Sequence, residues 1–234
     1  MARLTEKYVQ KQSMIFLKDY YKNKYNLTRL FARTEVRTSH KRKGYGRADG
    51  ILCFNSDKQN IHTVSLEAKS HKTLNYITPI NDAKKDRLLL LITVTIFLIL
   101  ALVLSQDERW YWIILISVSF AIIAVIVLVF VLVLIEPEGL KKFKVIEQIK
   151  RYPANEKWIA ISADSLNLVK KSFTLFTKKT NLESLLLACK KNGIGLLVIS
   201  HKTVKIKIEP TFTKGYFLHN YSIEKEIKKI LRSN

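Results

Sequence analysis

Acidic residues are scarce in this 234-residue chain: 19 Asp and Glu stand against 40 Lys and Arg, a net charge of +21. An imbalance of that size argues against strongly basic partners. It favours polyanions, either nucleic acid or the anionic face of a membrane, without choosing between them. Cysteine is scarcer still. Cys53 and Cys189 each sit inside an apolar run, which reads as two small core residues of a reducing compartment rather than a disulfide framework. No Cys/His spacing of the zinc type occurs, so a structural zinc site is not expected. A Walker-type loop, a dinucleotide fingerprint and a serine–histidine hydrolase motif are missing. Helix-turn-helix and zinc-finger patterns are missing too, which argues against sequence-specific base reading. The opening residues, MARLTEKYVQ, hold no apolar signal-peptide core.

Charge, glycine and proline are all absent from two long stretches, residues 88–104 and 110–135, which flank the short polar break SQDER. As helices they would span about 26 Å and about 39 Å, against a hydrocarbon core about 30 Å thick. Trp110, Tyr111 and Trp112 resemble an interfacial aromatic belt. Lys84, Lys85 and Arg87 precede the first run, and Lys141, Lys142 and Lys144 follow the second. The expectation is a two-helix transmembrane hairpin in the inner (cytoplasmic) membrane, with both termini cytoplasmic by the positive-inside rule. The lipid bilayer is then one partner, and the lysines beside the runs could hold anionic headgroups.

Outside the runs the pattern is α/β. Residues 4–25 have helical spacing, with Thr5 as N-cap and Glu6 in the first turn. Strands are predicted over 29–37, 50–54 and 61–68, the last two joined by the turn-rich 55–60 as a hairpin. A helix over 140–151, a strand over 157–162, a helix over 182–191 stopped by Asn192-Gly193, strands over 194–200 and 203–208, and a helix over 222–231 follow. Neither half completes a sheet alone. The expected organisation is one domain built from residues 1–87 and 136–234, with 88–135 inserted through it.

The chemistry concentrates in RADGILCFNSDKQNIHTVSLEAKS, residues 47–70. Facing residues of a hairpin have a constant number sum. A turn over 55–60 sets it near 115 or 116, so Asp49 faces Glu67. Opposed like charges destabilise a sheet, and a divalent cation between them removes the conflict. Alternation puts Ser65, Glu67 and Lys69 on one face and Val64, Leu66 and Ala68 on the other. Two carboxylates and a lysine at a strand end suit hard-metal, water-assisted hydrolysis. The plainer alternatives are a turn at Asp49-Gly50 and a solvated strand face at Glu67 and Lys69.

The acid before a strand, the strand ending Glu67-Ala68-Lys69 and the preceding helix with Glu6 resemble the PD-(D/E)XK nuclease superfamily. The likeness is closest to its Mrr-type members, where a glutamine-bearing helix and a further strand follow; here these are VIEQIKRYP, with Gln148, and KWIAIS. Ala48 stands where that motif has proline. The resemblance implies a restriction-endonuclease-like mixed sheet flanked by helices. It implies Mg²⁺ (or Mn²⁺) held by Asp49, Glu67 and the Ala68 carbonyl, with Lys69 positioning the water and Glu6 and Gln148 supporting the site. Glu6 also reads as a helix-dipole acid, and Gln148 as a surface residue. KRKGYGR, with Lys41, Arg42, Lys43, Tyr45 and Arg47, could grip and stack nucleic acid, or be a solvated basic loop. The expected function is a membrane-anchored endonuclease acting on nucleic acid, DNA first, at the cytoplasmic face in defence against foreign or phage DNA. A homo-oligomer or partner defence proteins would fit that setting. The rival is a non-catalytic adaptor that binds nucleic acid or a protein through the same fold.

Overall fold

Thr5 opens the first helix as the sequence predicts: its hydroxyl accepts from the Tyr8 N–H at 3.3 Å, one of the donors a helix start leaves unpaired. The computed structural model describes residues 3–39, 46–57, 60–81, 141–171 and 180–232, with isolated positions between 87 and 119. Helix α1 (Glu6–Tyr25) ends at Asn26, which takes the left-handed conformation (φ 48°) and donates its N–H to Lys22 O. Val9, Ser13, Met14, Leu17 and Tyr21 form its buried stripe.

That stripe packs on a six-stranded mixed sheet of order β1-β2-β3-β6-β7-β8. The strands are β1 (Phe31–Arg37), β2 (Arg47–Asp57), β3 (Asn60–Lys69), β6 (Glu156–Ser162), β7 (Ile194–Ile199) and β8 (Val204–Ile208). The two hairpin pairs at the β1 edge and the β7–β8 pair are antiparallel. The central β3–β6 and β6–β7 pairs are parallel, which requires crossover connections. Helices α4 (Ala163–Lys171) and α5 (Asn181–Lys191) lie in the chain between β6 and β7, and α3 (Lys144–Lys150) precedes β6.

Alternation divides the core. Leu52, Phe54, Val64, Leu66, Ala68, Trp158 and Ala160 face α1. Ile159, Ile161, Ile194 and Leu196 face the opposite way, onto Val145, Ile149, Val169 and Leu185 of α3, α4 and α5. A third cluster seats Ile227 and Leu231 of α6 (Glu224–Arg232) on Phe31, Ile51 and Cys53. Both cysteines are free and buried. On the α1 face Trp158 Nε1 donates to Tyr21 Oη at 2.8 Å, and Tyr21 donates in turn to Glu156, so two large aromatics enter the core with their polar tips paired. Gly50 lies so close to α1 that a Cβ there would collide with Met14 Sδ.

Several of the described elements were not expected. Helix α4 follows β6 without a loop, and Ser162 Oγ accepts from the Ser165 N–H at 3.2 Å to cap it. A 3-10 turn over His71–Thr73 leads into the short α2 (Leu74–Ile77), which packs on α3.

The chain divides into two compact units, Met1–Pro79 with Phe143–Phe173 and Lys179–Asn234, and Ile80–Lys142 with Thr174–Lys178. Within the second, β4 (Ile80–Asn81) and β5 (Lys141–Lys142) pair antiparallel, Ile80 with Lys142 and Asn81 with Lys141. The expected two-pass placement in the inner membrane, with both termini cytoplasmic, is overturned. Among the described residues no helix is long and apolar enough to cross a membrane. The longest of them, α1, has 20 residues but carries Lys7, Lys11, Lys18 and Asp19, and its apolar stripe is used on the sheet. The runs 88–104 and 110–135 lie, apart from isolated positions, outside the described residues. Hydropathy measures composition, whereas a span needs about 20 apolar residues in one continuous helix. Tethering at the membrane face falls with the two-pass placement.

Candidate active site

The hairpin register is the predicted one: Gly50 pairs with Leu66, Ile51 with Ser65 and Leu52 with Val64, each pair summing to 116. Asp49 is therefore opposite Glu67. The β2–β3 ladder ends at Gly50↔Leu66, while β2 stays paired to β1 as far as Arg37↔Arg47. The two strands part where the acids sit. The Ala68 N–H, which a continued ladder would give to Ala48, donates to Asp49 Oδ2 at 2.7 Å. The Asp49 carbonyl accepts from Gln10 Nε2 of α1 at 2.5 Å. In an antiparallel strand a residue's N–H and C=O point to the same side, so the Ala68 carbonyl is on the Asp49 side of β3.

Glu67 is fully buried and Lys69 is 3% exposed. Lys69 Nζ donates to Glu67 Oε1, and it lies 5.0 Å from the centre of the Tyr76 ring. Glu67 Oε2 has no hydrogen-bond donor. Burial, reinforced by the Asp49 charge, pushes the Glu67 carboxyl up to about 8 against the pull of Lys69. Burial raises the Asp49 carboxyl as well, opposed by the Ala68 N–H and by Lys69. The two carboxyls are close enough to hydrogen-bond when Glu67 holds a proton. Two adjoining acids in one buried place need a proton or a cation between them.

These groups floor a cleft of about 770 Å³. Glu6 reaches it from the first turn of α1, where its carboxylate accepts from Thr73 Oγ1 at 2.9 Å. Gln148 of α3 lines the other side, its Oε1 buried and unpartnered. Asp49, Glu67, Lys69, Glu6 and Gln148 thus all border one cavity. Of the basic loop, Arg47 borders it too, paired with Glu35 at 3.3 Å. Lys41, Arg42, Lys43 and Tyr45 lie outside the described residues.

Six lining residues were not assigned to the site in the sequence: Thr73, Tyr76, Lys144, Glu147, Arg151 and Tyr152. Arg151 and Tyr152 lie just past the end of α3, outside the helical spacing that carries Gln148. Gly46 lies flat against Tyr152, for a Cβ there would come within 2.5 Å of its ring. Thr73 and Tyr76 sit on a turn and a helix of one turn, too short to leave a periodic pattern.

The donor set fits a hard divalent cation. Among the described residues no group of three or more His, Cys, Asp or Glu side chains gathers for a metal. Two carboxylates and a backbone carbonyl remain, a set in which Mg²⁺ keeps several waters. The observation in favour of the fit is the pair of adjoining buried carboxyls, Asp49 and Glu67, each raised by burial, which need a proton or a cation between them.

Comparison with known proteins gives no match to a family model, to a curated sequence or to a solved structure.

Proposed function

We propose that this chain is a metal-dependent nuclease, of the restriction-endonuclease-like PD-(D/E)XK class in its Mrr-type form, hydrolysing phosphodiester bonds of nucleic acid, with DNA the expected substrate. The observation that carries the reading is the parted hairpin end. Asp49 takes the Ala68 N–H where the ladder stops, and buried Glu67 is held by Lys69 with its second oxygen free of donors.

Asp49, Glu67 and the Ala68 carbonyl would hold Mg²⁺ or Mn²⁺. Such an ion lowers the pKa of a bound water and offsets charge on a phosphate. Lys69 would orient the attacking water and stabilise negative charge as it develops. Glu6, fixed by Thr73, and Gln148 border the same space. Arg47, Lys144 and Arg151 offer cations to a phosphodiester backbone at the cleft wall. The cleft carries four acids, Glu6, Asp49, Glu67 and Glu147, and four cations, Arg47, Lys69, Lys144 and Arg151. A bound divalent cation would turn that balance positive, as a polyanionic substrate requires.

The full-length protein should cleave DNA in Mg²⁺ and not in EDTA. Asp49→Ala, Glu67→Ala and Lys69→Ala should each lower the rate about 100-fold or more. Full activity in Glu67→Ala or Lys69→Ala would overturn the assignment. Nucleic-acid binding that survives EDTA without any cleavage would favour the adaptor reading instead.

A further inference from the structure

Among the described residues, Tyr76 is the aromatic side chain that meets the Lys69 ammonium. Its ring centre is 5.0 Å from Lys69 Nζ and 5.8 Å from Lys144 Nζ. It is half-buried, packed with Leu74 against the core that holds Ile77, Ile146 and Ile149. The ring is thus fixed from below while its π-face meets the cations, an arrangement that attracts them electrostatically. Lys69 has a second partner in Glu67 Oε1. Ring and carboxylate therefore share one ammonium.

We propose that Tyr76 is a positioning residue for Lys69: its ring holds the ammonium at the cleft when the Glu67 carboxylate turns to a divalent cation. The inference rests on the metal-site reading above and deepens it. Without the ring, an ammonium displaced from Glu67 by a metal ion would have no π-face to hold it at the cleft. Metal binding would weaken by as much as the cation–π contact strengthens when Lys69 leaves the carboxylate.

The test is Mn²⁺ binding to the full chain, followed by calorimetry without substrate. Tyr76→Leu should weaken Mn²⁺ binding, by roughly 2-fold to at most about 30-fold, the range that a cation–π contact of exposed to desolvated strength spans. Tyr76→Phe keeps the ring face and should restore most of the affinity. Lys69→Met removes the competing ammonium and should tighten binding. In that background Tyr76→Leu should have no further effect, because a residue acting through Lys69 has nothing left to act on. In cleavage assays Tyr76→Leu should lower kcat and leave KM for DNA unchanged. Additive losses in the double variant, or a Tyr76→Phe protein as weak as Tyr76→Leu, would overturn the proposal and leave the metal site standing. A wild-type protein that takes up no Mn²⁺ would overturn both.

Discussion

Glu67→Gln isolates the energetic consequence of burying the acid. In the folded protein the Glu67 carboxyl is pushed up to about 8, from an ordinary value of 4.5, by burial and by Asp49. Its folded-state affinity for a proton is raised, so its favourable contribution is complete below about pH 4.5 and is lost as pH rises through about 8. Between those limits the unfolded chain releases the proton and the folded chain keeps it. The interval is about 3.5 pH units, and at 1.36 kcal/mol per unit this makes about 5 kcal/mol as an upper bound. Glutamine has nearly the same shape and does not titrate. Any constant difference between the two side chains cancels when two pH values are compared. Urea unfolding of both proteins at about pH 4.5 and about pH 8.5, followed by circular dichroism, should show wild type losing up to about 5 kcal/mol relative to the variant. Saturating Mg²⁺ at the higher pH should recover part of that loss in wild type only, about 2.7 kcal/mol at a hundredfold excess over Kd. An equal difference between the two proteins at both pH values would refute the reasoning.

Gly50→Ala should destabilise the fold by about 1–3 kcal/mol in a thermal melt, because the added methyl collides with Met14 across the α1–β2 contact. Asn155→Ala should cost about 1–3 kcal/mol or more by the same assay. The Asn155 side chain accepts from the Thr63 N–H and donates to the Thr213 and Gly215 carbonyls, so its removal orphans a buried donor. Arg47→Ala should weaken DNA binding evenly across sequences and flatten the plot of log affinity against log salt by about 0.9, measured by fluorescence anisotropy. An unchanged slope would remove Arg47 from the binding surface.

The sequence made the hairpin site legible for a simple reason. Antiparallel pairing fixes every facing pair once the turn is located, and alternation fixes the face, so Asp49, Glu67 and Lys69 could be brought together without coordinates. Helix α1 was legible through Thr5 and Glu6 at its start. Helix α4 was not, because its capping residue Ser162 is also the last residue of β6, and only nine residues follow before the element ends. Thr73 and Tyr76 were hidden for a related reason: seven residues of 3-10 turn and helix are shorter than any period they could display. His71, read as plain polarity, belongs to this segment and its Nδ1 lies 3.2 Å from Leu4 O. The two uncharged runs misled in the opposite direction, since their composition spoke strongly while it said nothing of a continuous helix.

Near the hairpin turn the register is irregular: Asp57 pairs with Asn60, a sum of 117, and from Asn55↔Ile61 onward the sum is 116. Had the first value persisted, Asp49 would stand opposite Ala68, and the two acids would point to opposite faces of the sheet. The correction occurs six to eight residues before the site, roughly 20–27 Å away at strand spacing. A one-residue change that carried the first sum along the hairpin would therefore separate Asp49 from Glu67, while every side chain of the site kept its identity.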